Sequence, residues 1–154
     1  MKLTRLTADD AEAIRAMQQE SFFPLYQKYR DAETSPACES TERIAARLRQ
    51  SFTYYYRIDV NGETVGAVRV VDRKTEDAPK RISPLFILPR FQNRGYAQQA
   101  IRAVERLHGA HGWELDTILQ EKGNCYLYEK MGYRKTGRVE IINERMSLVF
   151  YRKD

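Results

Sequence analysis

Long apolar runs are missing from this chain. No stretch approaches the roughly 20 residues that a membrane-crossing helix needs, so no membrane partner is expected. The opening Met1-Lys2-Leu3-Thr4-Arg5 holds no apolar block of the kind that makes a secretory signal. Cysteine is scarce as well. Cys38 and Cys125, the only two, fit neither a disulfide framework nor a metal-ligand spacing. No metal is expected, both thiols are read as reduced, and the chain is read as cytoplasmic. Repeats, low-complexity tracts and Gly/Pro-rich linkers are also absent, so residues 1–154 are read as a single domain.

Charge of one sign is in modest excess only. The net +5 arises from 26 basic against 21 acidic residues, interleaved rather than gathered in a block. Nucleic-acid binding, which calls for a basic face, is therefore not expected; a slight attraction for an anionic cofactor is. With 42% hydrophobic and 31% charged residues, the composition is that of a folded domain.

Periodicity gives the order β-α-α-β-β-β-α-β-α-β-β. Residues 2–6 read as a strand, and Thr7 with Asp10 as an approximate capping box ahead of a helix over 9–20. An aromatic segment, 22–29, is interrupted by Pro24, and 31–39 reads as a loop. Ser40 or Thr41 starts a second helix. Strands over 53–60 and 64–71 flank Asn61-Gly62, a strong hairpin signal. A strand over 81–88 contains Pro84, which cannot donate to a ladder and so marks a strand start or a bulge. Residues 96–111 form the clearest helix, with Ala97, Ala100, Ile101, Val104, Leu107 and His111 as its apolar stripe and Gly112 as its stop. A strand over 114–119, a helix over 124–131 closed by Gly132, and a hairpin over 133–151 turning at Asn143-Glu144 complete the chain. The early helices, the meander and the two late crossovers imply a mixed α/β sheet with helices on both faces.

The most informative stretch is Leu85-Phe86-Ile87-Leu88-Pro89-Arg90-Phe91-Gln92-Asn93-Arg94-Gly95-Tyr96-Ala97. It runs from an apolar strand through a polar loop into a helix. A helix start leaves N–H groups unpartnered and carries partial positive charge. Gly95 lacks a Cβ, so an anion can approach the main chain there. Such a strand–loop–helix is suited to phosphate.

Gln92-Asn93-Arg94-Gly95-Tyr96-Ala97 also resembles the Gln/Arg-x-x-Gly-x-Gly/Ala signature of the GCN5-related N-acetyltransferase (GNAT) superfamily. Asn124-Cys125-Tyr126-Leu127-Tyr128-Glu129-Lys130-Met131-Gly132-Tyr133 is similar to its second signature. The resemblance implies a mostly antiparallel sheet of six to seven strands, with a central parallel pair splayed to admit acetyl-CoA. It implies pantetheine pairing with the backbone of Phe86 and Ile87, and pyrophosphate resting on the N–H groups of Gln92, Asn93, Arg94, Gly95, Tyr96 and Ala97. Arg94 would add charge, Ala97 would let the helix approach, and Asn124 would bond pantetheine or simply cap its helix.

The same resemblance gives Tyr128 the role of general acid to the departing thiolate, a phenol of ordinary pKa about 10 being protonated at neutral pH. Tyr126 and Tyr133 are weaker candidates. Two departures stand out. Glu121 occupies the place, seven residues before the tyrosine, where many members carry asparagine; and Arg81-Ile82-Ser83-Pro84 offers no fourth-strand glutamate. The base is left among Glu114, Asp116, Glu144 and water. Residues 22–29 with Asp31 and Glu33 would cover a cationic acceptor. His108 and His111 read as dipole-favouring residues at a helix end. The expected activity is acetyl transfer to a primary amine of a small molecule or peptide. The rival is a silent acyl-CoA-binding sensor or interaction module. A strand-mediated homodimer is open to either.

Overall fold

The structure, a computed structural model, describes residues 1–154. Seven strands, β1 (Lys2–Arg5), β2 (Thr53–Val60), β3 (Glu63–Val71), β4 (Lys80–Ile87), β5 (Trp113–Ile118), β6 (Arg134–Ile141) and β7 (Ser147–Lys153), form one sheet in the order β1-β2-β3-β4-β5-β7-β6. Every neighbouring pair is antiparallel except β4 and β5. The expected mixed, mostly antiparallel sheet is what forms.

Four helices cover it: α1 (Ala11–Tyr29), α2 (Thr41–Leu48), α3 (Tyr96–His108) and α4 (Lys122–Lys130). On one face Ile14 of α1 and Ile44 of α2 pack with Tyr55, Ala67 and Phe86 of the sheet. On the other, Ile101 and Val104 of α3 and Cys125 and Tyr128 of α4 pack with Val68, Val70, Trp113 and Tyr151. Each large apolar side chain buried this way contributes about 1.5–3 kcal/mol. Trp113 can be fully buried because its Nε1–H donates to the Gly109 carbonyl at 2.7 Å.

Several sequence expectations are corrected. The first helix does not end near residue 20 but runs through Pro24 to Tyr29. Pro24 lies on the exposed side, so the Glu20 carbonyl that it leaves unpaired meets water. The long helix stops at His108, because Gly109 takes φ +111° and turns the chain, three residues before the expected Gly112. Its stripe accordingly ends differently: Leu107 is 58% exposed, and His108 turns inward instead. There Nδ1 of His108 sits 2.7 Å from Asp72, and Nε2 sits 2.9 Å from the Tyr56 hydroxyl. Burial lowers the His108 pKa, so a neutral ring donating to Asp72 and accepting from Tyr56 fits both contacts. Neither histidine serves the helix dipole; His111 lies beyond the helix, exposed.

Candidate active site

β4 and β5 pair only at Lys80–Trp113 and Arg81–Glu114, at the start of each strand. Beyond that point both strands continue without bonding each other. The reason lies on the other edge of β4. Between Val68–Leu85 and Val70–Ile82 the register shifts, so that Ser83 and Pro84 together oppose the single residue Arg69. This is a bulge at Pro84, where the chain has no N–H to give, and the Ser83–Pro84 peptide is cis. The bulge bends β4 away, and the two strands splay.

Below the bulge the backbone alternates regularly. Leu88 N–H donates to Val65 across β3, so Phe86, two residues earlier, also turns its peptide groups toward β3. Leu85 and Ile87 are then the residues whose peptide groups face the gap. The sequence expectation for Phe86 is thereby corrected: its side chain stacks edge-on against Phe22, ring centroids 5.5 Å apart, while its backbone belongs to the sheet. Leu85, which no side-chain pattern marks, instead faces the gap together with Ile87. Gly66 lets the sheet close here, since a Cβ would collide with the Phe86 carbonyl oxygen.

The loop after β4 first makes a 3₁₀ turn, Pro89–Phe91, in which Gln92 N–H donates to Pro89. The Gln92 side chain bonds the Ile87 carbonyl at 3.0 Å, tying the loop to the strand. Asn93 at φ +63° and Gly95 at φ +80° then turn the chain into α3. From Asn93 to Gln98, six successive N–H groups have no acceptor in the protein; pairing resumes with Gln99 donating to Gly95 at 3.1 Å. Consecutive amides in such a left-handed turn, at a helix N-terminus, make a concave donor surface for an anion. Gln92 is therefore a brace rather than an amide donor. Arg94 does not line the cavity: it folds back, 3.3 Å from the Arg90 carbonyl and over the Phe91 ring.

A cavity of about 490 Å³ joins these parts, lined by Phe86, Ile87, Gln92, Asn93, Gly95, Tyr96, Ala97, Asn124 and Tyr128 among others. Tyr128 comes from the last turn of α4, packed edge-on against Tyr133 at 5.9 Å. Burial, reinforced by the nearby Asp116 carboxylate, pushes its phenol pKa up, so it is protonated at neutral pH. Asn124 is the third residue of α4, not its cap. Tyr126 is 68% exposed, and the Tyr133 hydroxyl is directed at Glu105.

The carboxylates separate clearly. Asp116 lines the cavity but is held in an ion pair by Arg81, whose second, looser partner at 3.9 Å is Glu114. Glu114 and Glu144 lie outside the cavity. Asp31 lines it, only 7% exposed, and forms no ion pair; its one side-chain bond is accepted from Thr34 at 3.0 Å. Glu121 clasps the end of α1, accepting from the Tyr29 hydroxyl and from Lys28 at 3.1 Å. Those bonds outweigh burial and hold its carboxyl below the usual range. Asn143 reinforces the clasp by donating to the Tyr29 carbonyl at 2.9 Å, so Ser21, Phe22 and Leu25 of α1 form the cavity's outer wall.

The model of the acetyltransferase (GNAT) family matches residues 11–133. The chain belongs to the GNAT family. No curated protein sequence matches it. Among solved structures, the fold is similar to spermidine N-acetyltransferase from Vibrio cholerae in complex with CoA and spermine. The TM-score is 0.75 at 18% identity, over 97% of this chain and 92% of that one. It is also similar to the ribosomal-protein-S18-alanine N-acetyltransferase from Escherichia coli, with a TM-score of 0.74 at 13% identity over 97% and 90% of the two chains. PaiA N-acetyltransferase from Thermoplasma acidophilum in complex with coenzyme A gives 0.71 at 12% identity over 99% and 98%. In this GNAT domain the splayed strands and the donor loop thus occupy one continuous cavity. No helix is long and apolar enough to cross a membrane.

Proposed function

We propose that this GNAT domain transfers the acetyl group of acetyl-CoA to a primary amine of a small molecule or peptide by direct attack. The observation carrying this reading is the run of unpaired amides from Asn93 to Gln98, opening on the cavity that Tyr128 also lines. Their number matters. One helix terminus contributes about 0.3–1 kcal/mol toward an exposed anion, so several donors must act together to hold a diphosphate. The gap-facing peptide groups of Leu85 and Ile87 would pair with pantetheine amides as a missing strand would, and Asn124 lines the same cavity.

Bound acetyl-CoA supplies the activated thioester. The protein's part is to orient it, keep water out and manage two protons. Tyr128, held protonated by its burial, donates to the sulfur as it departs. Asp31, the unpaired carboxylate on the acceptor side, draws in the amine as its ammonium form. With Asp116 neutralised by Arg81, and Glu114 and Glu144 outside the cavity, water is left to take the amine's proton.

The test follows free thiol release from acetyl-CoA across a panel of primary amines, beside calorimetric titration of coenzyme A. Amine-dependent thiol release is expected. Coenzyme A binding with no thiol release for any amine would favour a silent binding module instead, and no binding at all would end both readings.

A further inference from the structure

A second cavity, of about 120 Å³, lies behind the bulge. It shares Thr34, Ser35, Pro36, Ser83 and Pro84 with the main one, so the two meet along a common wall. Arg69 opens into it. On β3 this residue stands directly opposite Tyr55, so its side chain projects to the same face, beneath α1 and α2. It is only 7% exposed and makes no side-chain hydrogen bond or ion pair with the protein, while its nitrogens keep some access to solvent beside this cavity. A guanidinium so largely withdrawn from bulk solvent, with only a small cavity's water to pair with, is a free set of donors for an anion.

The neighbouring groups do not supply it. Glu39 is taken by Arg47 at 2.6 Å and Arg43 at 3.7 Å, and lies 3.3 Å from the Gln18 amide. Glu33, the other carboxylate in the wall, is exposed. The Tyr55 hydroxyl donates to Gln18 at 2.6 Å, not toward Arg69. Three guanidiniums therefore face one engaged and one solvated carboxylate. Burial lowers the Arg69 pKa to about 10, which leaves it charged at neutral pH.

We propose that Arg69, with Arg47 and Arg43 beside it, receives an anionic group carried by the acceptor, a carboxylate or a phosphate. The acceptor is then a small amine with a negatively charged far end. That end lies behind Ser83-Pro84, while its nitrogen stays in the main chamber with Asp31 and Tyr128. The fork of the guanidinium suits two oxygens of one anion. A purely cationic polyamine would set an ammonium against three guanidiniums and is disfavoured here. This inference rests on the acetyltransferase reading for the word acceptor, but the anion pocket itself does not.

The experiment compares kcat/KM, by thiol release, for ω-amino acids of two to six carbons against the matching n-alkylamines. O-phosphoethanolamine against ethanolamine, and spermidine, complete the set. At least one charged member should exceed its neutral partner by tenfold or more, chiefly through KM, and which pair responds separates carboxylate from phosphate. Arg69→Gln should bring that ratio close to one. Arg69→Lys keeps the charge without the fork and should retain part of it, which covers the case of a Gln variant that does not fold. Preference for alkylamines or spermidine, or a ratio that Arg69→Gln leaves intact, overturns the proposal. Calorimetric titration of the CoA-saturated protein with the same anionic amines separates the two readings. Binding that Arg69→Gln abolishes, without thiol release from any amine, keeps the pocket and removes the acetyltransferase reading. No binding of any of them removes the pocket.

Discussion

The two sides of this cavity, proposed to hold cofactor and acceptor, are built from different materials. The first is main chain: six consecutive amides, two residues in left-handed conformation, and the gap-facing peptide groups of Leu85 and Ile87. The second is side chain: Asp31, Phe22 and Leu25 from α1 and its following loop, and Tyr128 from α4. On the proposed reading, a main-chain surface would recognise what every acyl-CoA has in common and tolerate many side chains. A side-chain wall selects one acceptor and changes with each substitution. The contrast separates what binds from what is chosen.

The largest expected effect removes one hydroxyl and leaves the shape of both walls intact. Tyr128→Phe should lower kcat by about 10²–10⁴-fold, the usual range for a general acid. The coenzyme A dissociation constant should stay within about threefold, since the ring keeps its place. Undiminished kcat in steady-state thiol release would remove Tyr128 as the acid.

Next comes the backbone that both sides share. A methyl group at Gly66 meets the Phe86 carbonyl, part of the sheet rather than a side chain that could swing aside. Gly66→Ala should therefore destabilise the fold by about 1–3 kcal/mol, read from denaturant midpoints. Gly95→Ala sharpens the comparison from the cofactor side. No atom lies within 4 Å of a Cβ there, so only the φ of +80° opposes it. About 1–2 kcal/mol of strain is expected; a free loop that escapes it by leaving the left-handed turn must regain that turn to bind, so coenzyme A binding should weaken by up to roughly five- to thirtyfold, with KM for the amine unchanged. An amine KM that moved as much would erase the division. Asp31→Asn tests the other side: amine KM should rise by about three- to tenfold while coenzyme A titrates as before.

The smallest effect concerns stability and neither wall. Burial holds the His108 pKa below its ordinary 6.5, so the folded state keeps the ring neutral while the unfolded chain protonates it. The unfolded state then binds more protons, and stability falls as pH drops through about 6.5. Asp72, kept below the usual carboxylate range by its bonds to His108 and Lys74 in spite of burial, adds a loss of the same sign at more acidic pH. Melting temperature should decline modestly from pH 7.5 to 5.5, and His108→Gln should flatten that slope. An equal slope in the variant would assign the loss to other groups.

Much of the cofactor side could be read directly. A strand, a polar loop with Gly95 and an amphipathic helix are contiguous, so their pattern carries their geometry. Pro84 marked the bulge for the same reason. Contiguity failed where burial decided. Pro24 signals a break, but packing of α1 against the sheet carries the helix through it. His108 looked like a solvated helix end until the fold brought Tyr56 of β2 and Asp72, just past β3, to it.

The sequence by itself determined the donor loop, the hairpins, the element order and the presence of a tyrosine in the second signature, because each depends on neighbours a few residues apart. Only the tertiary structure decided that Leu85 rather than Phe86 faces the gap, that Gln92 is a brace, that Arg81 neutralises Asp116, and that Asp31 and Arg69 stay unpaired. Gln92 reaches back only five residues, but the Leu85 register and the Arg81–Asp116 pair, 35 positions apart, depend on distant strands, where a single-residue slip turns a side chain to the opposite face.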